Sequence, residues 1–329
     1  MTTTRILVTG GAGFIGSHYV RTLLGPGGDP DVTVTVLDKL TYAGNPANLG
    51  PVRDDARFAF VHGDICDAPL VDRLVARHDQ IVHFAAESHV DRSIHRAGDF
   101  VRTNVGGTQT LLDAAVRHAP RTFVHISTDE VYGSIESGSW PETHPLAPDS
   151  PYSAAKAAGD LIALAHHRTH GLDVRVTRCS NNYGPYQFPE KLVPLFVTRL
   201  LDGGRVPLYG DGGNVRDWLH VDDHVRGVEL VRAHGRPGEI YNIGGGTELT
   251  NRELTALLLD ACGADWSRVD HVADRKGHDR RYSVDCRKIT EQLGYRPRTD
   301  FAAGLAETVA WYRDNRRWWD PSAARPDAA

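Results

Sequence analysis

Two pairs of side chains stand at spacings suited to acid–base work. The stretch HISTDEVYGS, residues 125–134, sets Asp129 beside Glu130 at the end of a hydrophobic strand, with Thr128 in front of them. Adjacent carboxyl groups in a dry site disfavour double ionisation, which leaves an acid next to a base. The sequence does not say which of the two keeps the proton. Neighbouring side chains on a strand point to opposite faces, so both acids can reach one substrate only if the strand ends at Thr128. The alternative is that they cap a helix. Further on, YSAAK places Tyr152 and Lys156 four apart, on one helical face. A phenol titrates near about 10, and a neighbouring ammonium lowers it towards use as a base. Only Lys39, Lys156, Lys191, Lys276 and Lys288 are lysines among 37 basic residues, so a lysine kept here needs its compact ammonium.

A third constellation binds rather than reacts. ILVTGGAGFIGSH carries Gly10, Gly13 and Gly16 between a strand and a helix, the context of a dinucleotide site: tight turn, close backbone approach, helix N-terminus towards pyrophosphate. The next strand ends in VLDK, which puts Asp38 where a carboxylate accepts hydrogen bonds from the adenine ribose and repels a 2′-phosphate. NAD is therefore expected rather than NADP, and its positive nicotinamide would lower Tyr152 further. Asp64 and Ile65 in HGDI, and FAAES over 84–88, follow strands and fall where open α/β sheets bind ligands. Asp64 could contact adenine and ribose, or cap a helix.

The elements that must position these groups alternate. RILVT (5–9), VTVTVL (32–37), FAFV (58–61), QIVHFA (80–85), TFVHIS (122–127) and DVRVTR (173–178) read as strands, separated by helical patterns such as 100–118. Such alternation predicts βαβ units and a parallel sheet, an α/β fold of Rossmann type with doubly wound parallel strands. After about residue 179 the chain becomes rich in turn formers, which predicts a smaller C-terminal substrate-binding lobe. EIYNIGGG (239–246) reads as a strand that returns to the first sheet. The expected organisation is 1–178 for the dinucleotide domain, with elements around 220–246 added to it, 179–315 for the interleaved second domain, and a disordered tail over 316–329.

Bulk composition narrows the class. With 40% hydrophobic and 24% charged residues the chain reads as an ordinary globular protein, and a net charge of -5 argues against nucleic-acid binding. No apolar run is long enough for a membrane span, and MTTTRILVTGG lacks the regions of a signal peptide, so a cytoplasmic location is expected. Four scattered cysteines form no CxxC pair and predict reduced thiols without zinc. HVDDH (220–224) imitates a metal site, yet Asp222 or Asp223 as a helix cap is the simpler reading, and no metal is expected. His166, His167 and His170 are expected to complement the negative pole of a helix.

The glycine pattern, Asp38, Thr128 and the YxxxK pair stand as in the extended short-chain dehydrogenase/reductase family, which the chain resembles to about residue 315. That resemblance implies NAD in a Rossmann lobe and a nucleotide sugar in a C-terminal lobe. STDEVYG, AAESHVDRSI, SNNYGPYQFPEKLVPL and GHDRRY look like the members that dehydrate dTDP-glucose to its 4-keto-6-deoxy form. Its 4-epimerases have small residues where this chain has Asp129 and Glu130, and its decarboxylases resemble TSEVYG; a UDP-sugar epimerase or decarboxylase is the alternative.

The implied catalytic set is Thr128, Asp129, Glu130, Tyr152 and Lys156, with Asp129 as acid at the sugar C6 and Glu130 as base at C5. The cofactor would meet Gly10, Gly13, Phe14, Ile15, Gly16, Asp38, Lys39, Thr41, Asp64, Ile65, Ala85, Ala86, Ser88, Thr103, Tyr152, Lys156 and Asn182. Ser88, Thr128 and Asn181 would touch the sugar or its phosphate. Lys191, Arg216, Asn251, Arg275 and His278 would hold the nucleotide diphosphate, and Pro207 and Tyr209 would flank the base. The family pattern often has proline where this chain has Lys276. A homodimer is implied, built on the helices at 100–118 and 153–165, the second of which is apolar nearly all round.

Overall fold

The computed structural model describes residues 3–320. Among the described residues twelve strands are formed: β1 (Thr4–Thr9), β2 (Val32–Asp38), β3 (Phe58–His62), β4 (Gln80–His83), β5 (Thr122–Thr128), β6 (Val174–Cys179), β7 (Asn181–Tyr183), β8 (Val206–Tyr209), β9 (Val215–His220), β10 (Ile240–Ile243), β11 (Glu248–Thr250) and β12 (Val269–Val272). Seven of them make one sheet in the order β10-β6-β5-β4-β1-β2-β3, with every pairing parallel. β1 pairs with β2 on one side and β4 on the other, Thr9 lying opposite both Leu37 and His83. The chain order reverses there, and the crevice at the carboxyl ends of these strands is where such sheets take ligands.

The sheet is covered on both faces, which is why its strands read as near-continuous β-branched runs. Ile6 and Val8 pack with Val34, Val36 and Val124 on one face; Leu7, Leu37, Ile81 and Phe123 pack with Leu111 and Leu112 on the other. Beyond Cys179 the chain builds a further apolar cluster around Phe196, Val197, Leu208, Trp218, Leu254, Leu258 and Tyr312, carried by β7, β8, β9 and the helices Leu192–Leu201, Asn251–Cys262 and Phe301–Asp314.

Several elements differ from expectation. The strand expected over 80–85 ends at His83, releasing Phe84–Ser88 to line a cavity. The helix expected over 100–118 is widened to π geometry over Val101–Gly107 before continuing as Thr108–His118. Within that wide turn the Asn104 amide bonds both the N–H and the C=O of Glu87 at 2.9 Å, which pins the loop after β4. The helix expected over 153–165 is longer, Pro151–His170, and starts with a Ser150–Ser153 capping box.

His220, rather than Asp222 or Asp223, caps the helix Val221–His234. Asp223 accepts instead from the N–H groups of Arg298 and Thr299 at 2.9 to 3.0 Å, so a long-range demand outbids the local one. Among the described residues no group of three or more His, Cys, Asp or Glu could hold a metal. At the end of the helix Pro151–His170, His166 Nδ1 and His167 Nδ1 lie at 2.9 and 2.8 Å from the carbonyls of Ile162 and Leu172. Tail residues read as disordered from 316 begin as a helical turn, Arg316–Trp319, because Trp318 and Trp319 find apolar cover; the rest of that tail, 321–329, lies outside the described residues.

Candidate active site

β5 is buried along its whole length and stops at Thr128, where the chain tightens into a single 3₁₀ turn, Asp129–Tyr132. The strand break required for both acids to face one substrate is thus present. Thr128, not either acid, caps that turn: its Oγ1 accepts from the Glu130 N–H at 3.3 Å and donates to Asp129 Oδ1 at 3.2 Å. Asp129 is 2% exposed, and burial, reinforced by the charge of Glu130, pushes its carboxyl well above the ordinary carboxylate range. Both effects favour its protonated form. Its Oδ2 has no protein partner.

The helix Pro151–His170 brings Tyr152 and Lys156 beneath this turn, both buried. Lys156 Nζ donates to the Ile126 carbonyl of β5 at 2.5 Å, and burial lowers its pKa. Tyr152 corrects an expectation: burial, then Glu130, raises its phenol well above the usual value, while the Thr128 hydroxyl acts the other way. The protein alone therefore holds Tyr152 as a neutral phenol, and the lowering expected from Lys156 is outweighed because that ammonium is turned to the strand.

One residue behind the pair escaped the sequence reading. Asp160, fully buried, takes Arg178 Nε at 2.8 Å and faces His125 Nε2 at 3.3 Å. Burial opposes its charge, yet Arg178 and His125 pull it down to about 2. The Arg178 guanidinium in turn lies 4.7 Å from the Tyr132 ring centre. Asp160 follows Lys156 by the same four-residue step that links Lys156 to Tyr152, and that spacing was the available signal.

At the other end, the residues present fit a dinucleotide. Gly10 has φ +71°, and a Cβ there would lie 2.5 Å from the Ala85 nitrogen; a Cβ on Gly16 would lie 2.3 Å from the Gly10 carbonyl oxygen. The helix Phe14–Leu24 has no side-chain cap at Gly13, so its first amides are left for an anion. Asp38 closes β2 with its carboxylate accepting from the N–H groups of Ala12 and Leu40 at 2.9 and 2.8 Å. Asp64 does not cap the following helix, which Asp67 does; it accepts from the Cys66 N–H at 2.9 Å and pairs with Lys39 at 2.8 Å.

Between these ends runs one cavity of about 670 Å³. Its lining includes Gly10, Gly13, Phe14, Ile15, Gly16, Asp38, Lys39, Thr41, Asp64, Ile65, Ala85, Ala86, Thr103 and Asn182 together with Ser88, Thr128, Asp129, Glu130, Tyr152 and Lys156. Asn181, Lys191, Pro207, Tyr209, Arg216, Asn251, Arg275 and His278 line it as well, so the expected catalytic, cofactor and substrate residues meet in one space. Lys191 Nζ donates to the Ser88 carbonyl at 2.6 Å. Arg216 stacks 4.2 Å from the Tyr282 ring centre and donates to the Asp279 carbonyl at 3.0 Å, while Arg275 lies 3.6 Å from Asp91. Burial, helped by the charge of Arg275, lowers His278 to about 4, so its ring is neutral at pH 7. Half-buried Asn181 and Asn182 each leave a buried Oδ1 without a protein partner, a polar lining suited to a polar ligand. Trp218, Phe196 and Glu190 also line the space and were not foreseen, although Glu190 lies within SNNYGPYQFPEKLVPL.

The parallel sheet with its switch-point crevice, glycine turn and Tyr–Lys pair defines a dehydrogenase/reductase of the extended short-chain class. The profile of the GDP-mannose 4,6 dehydratase family matches residues 7–308, and the chain belongs to that family. It is 70% identical to the dTDP-glucose 4,6-dehydratase of Streptomyces antibioticus, covering 98% of this chain and 96% of that one. The crystal structure of the Streptomyces venezuelae dTDP-glucose 4,6-dehydratase with NAD and TYD bound superposes with a TM-score of 0.94 at 66% identity, over 97% of this chain and 99% of the other. The Thermotoga maritima UDP-glucose 4-epimerase with UDP-glucose is more distant: TM-score 0.87 and 34% identity over 95% and 100% of the two chains.

Proposed function

We infer that this chain is a hydro-lyase that uses NAD to remove water from dTDP-glucose, giving dTDP-4-keto-6-deoxyglucose. The observation that carries the reading is Asp129, a buried carboxyl group whose pKa is raised beside Glu130 at the broken end of β5, in the cavity that Tyr152 also lines. NAD, when bound, takes the hydride from the sugar C4 and later gives it back at C6. Tyr152 accepts the C4 hydroxyl proton, which its raised phenol can do only once positive charge on the cofactor and the proximity of Lys156 offset burial. The new C4 ketone acidifies the proton on C5. Glu130 removes that proton, and Asp129 gives its own to the departing C6 hydroxyl, which leaves as water. Return of the proton to C5 as C6 is reduced restores Glu130, and the proton that Tyr152 gained from the C4 hydroxyl leaves to solvent, from which Asp129 regains one, so that only water is lost overall.

An epimerase or decarboxylase on a UDP-sugar is the second reading, favoured by the closeness of the epimerase fold. Neither reaction expels a hydroxyl from C6, so neither needs the acid at position 129. Arg216 and Arg275 suit the diphosphate because a guanidinium donates two parallel hydrogen bonds. Residues 1–178 with β10 would serve the cofactor and the rest to about 315 the nucleotide sugar. We place the enzyme in the cytoplasm and expect a homodimer.

Incubated with dTDP-glucose, the protein should yield a product one water lighter by mass spectrometry, with no net consumption of NAD. Unchanged sugar, or an isomer of equal mass, refutes the dehydratase reading.

A further inference from the structure

We infer that Trp318, acting through Asn48, holds the glycine-rich loop in the shape that receives the NAD pyrophosphate, so that the C-terminal turn is a positioning element of the cofactor site. The inference rests on the assignment of NAD to that loop. The Trp318 indole N–H donates to Asn48 Oδ1 at 2.8 Å. Asn48 is 1% exposed, and its amide N–H donates to the carbonyl of Ala12 at 2.9 Å. Ala12 sits between Gly11 and Gly13. Its carbonyl also accepts from the Asn45 N–H at 3.0 Å, and its own N–H donates to Asp38 at 2.9 Å. Both polar groups of the central loop peptide are therefore spoken for.

A side-chain amide has one acceptor end and one donor end, and a buried one is oriented only when each end has a distinct partner. Trp318 supplies the donor that Asn48 Oδ1 requires, which keeps the Asn48 amide N–H pointed at Ala12. A second connection runs in parallel. Arg21, on the helix whose N-terminus opens to the cofactor, donates to the Asn48 carbonyl at 2.6 Å and lies 4.1 Å from the Tyr186 ring centre. Tyr186 has φ +68°, a conformation that favours glycine, and its ring meets Trp311 at 4.4 Å and Trp318 at 5.9 Å. Gln187 and Phe188, the next residues, line the cavity. A glycine turn works by letting its backbone approach phosphate closely, so a small rotation of the Ala12 peptide is enough to spoil it.

The full-length Trp318→Phe protein tests this, since it keeps an aromatic side chain at that position and removes the indole N–H. NAD affinity should weaken about five- to tenfold, as for one neutral hydrogen bond, measured by calorimetry on cofactor-stripped protein. Affinity for dTDP should stay within about twofold of the parent. Asn48→Ala should weaken NAD at least as much, and adding Trp318→Phe to it should change nothing more, because the two act as one unit. Parental NAD affinity in Trp318→Phe, or equal losses for NAD and dTDP, would overturn the inference and leave the turn a general brace. A parent protein that binds no NAD would remove the cofactor assignment itself, and the inference with it.

Discussion

A carboxyl group in water titrates near about 3.9; Asp129, buried and beside Glu130, is held well above that. Elimination needs the protonated form, so its rate should fall as pH rises through the raised value. The same shift acts on stability. Where the folded pKa exceeds the unfolded one, the favourable contribution is complete below the unfolded value and is lost as pH rises through the folded value, because the unfolded chain then releases a proton that the folded one retains. Asp129→Asn removes this penalty at neutral pH, so it should raise Tm by a few degrees, roughly the effect of about 1 kcal/mol. It should also slow elimination by about 10²- to 10⁴-fold, the usual worth of a general acid, while C4 oxidation stays within about tenfold. In rapid mixing the reduced-nicotinamide absorbance would then rise and persist. Equal loss of both steps would take the acid role away from Asp129.

At the scale of elements, what the sequence discloses follows the range of the forces that act. β1, β2, β5 and β6 were legible to within a residue or so at each end, because burial on both faces writes a run rich in β-branched residues, and the edge strand β3 was legible without such burial. The Tyr152–Lys156 pair was legible because helical period is local. The Ile126 carbonyl that holds Lys156, and the Arg178 and His125 groups around Asp160, were not, since each comes from a strand distant in sequence. Similarly, local propensity offered Asp222 and Asp223 as caps, and tertiary bonds to Arg298 and Thr299 claimed Asp223. The π-widened turn at Val101–Gly107 keeps the apolar periodicity of a helix, so periodicity alone could not reveal it. On the catalytic helix Leu161 is 55% exposed, and Val101 on the neighbouring turn is 55% exposed as well. Large aliphatic side chains left open on two packed helices favour a second copy as their cover. Light scattering should find the parent protein dimeric and Leu161→Glu monomeric at micromolar concentration, with its fold intact. A parent that is already monomeric would contradict the dimer.

Across the whole molecule, the carboxyl ends of β1, β2 and β4 and the loops beyond β6 enclose one cavity in which a dinucleotide and a nucleotide sugar can lie end to end. Such an arrangement keeps C4, C5 and C6 of the sugar within reach of one hydride carrier and of both carboxyl groups, so a hydride removed from one carbon can be delivered to another. Epimerases of the same fold need only return it to the carbon it left. Substrate labelled with deuterium at C4 separates the two outcomes without any variant. If the chain dehydrates dTDP-glucose as inferred, nuclear magnetic resonance of the product will find the label in the C6 methyl group of the 4-keto sugar. Label returned to C4, or lost to solvent, would contradict the account.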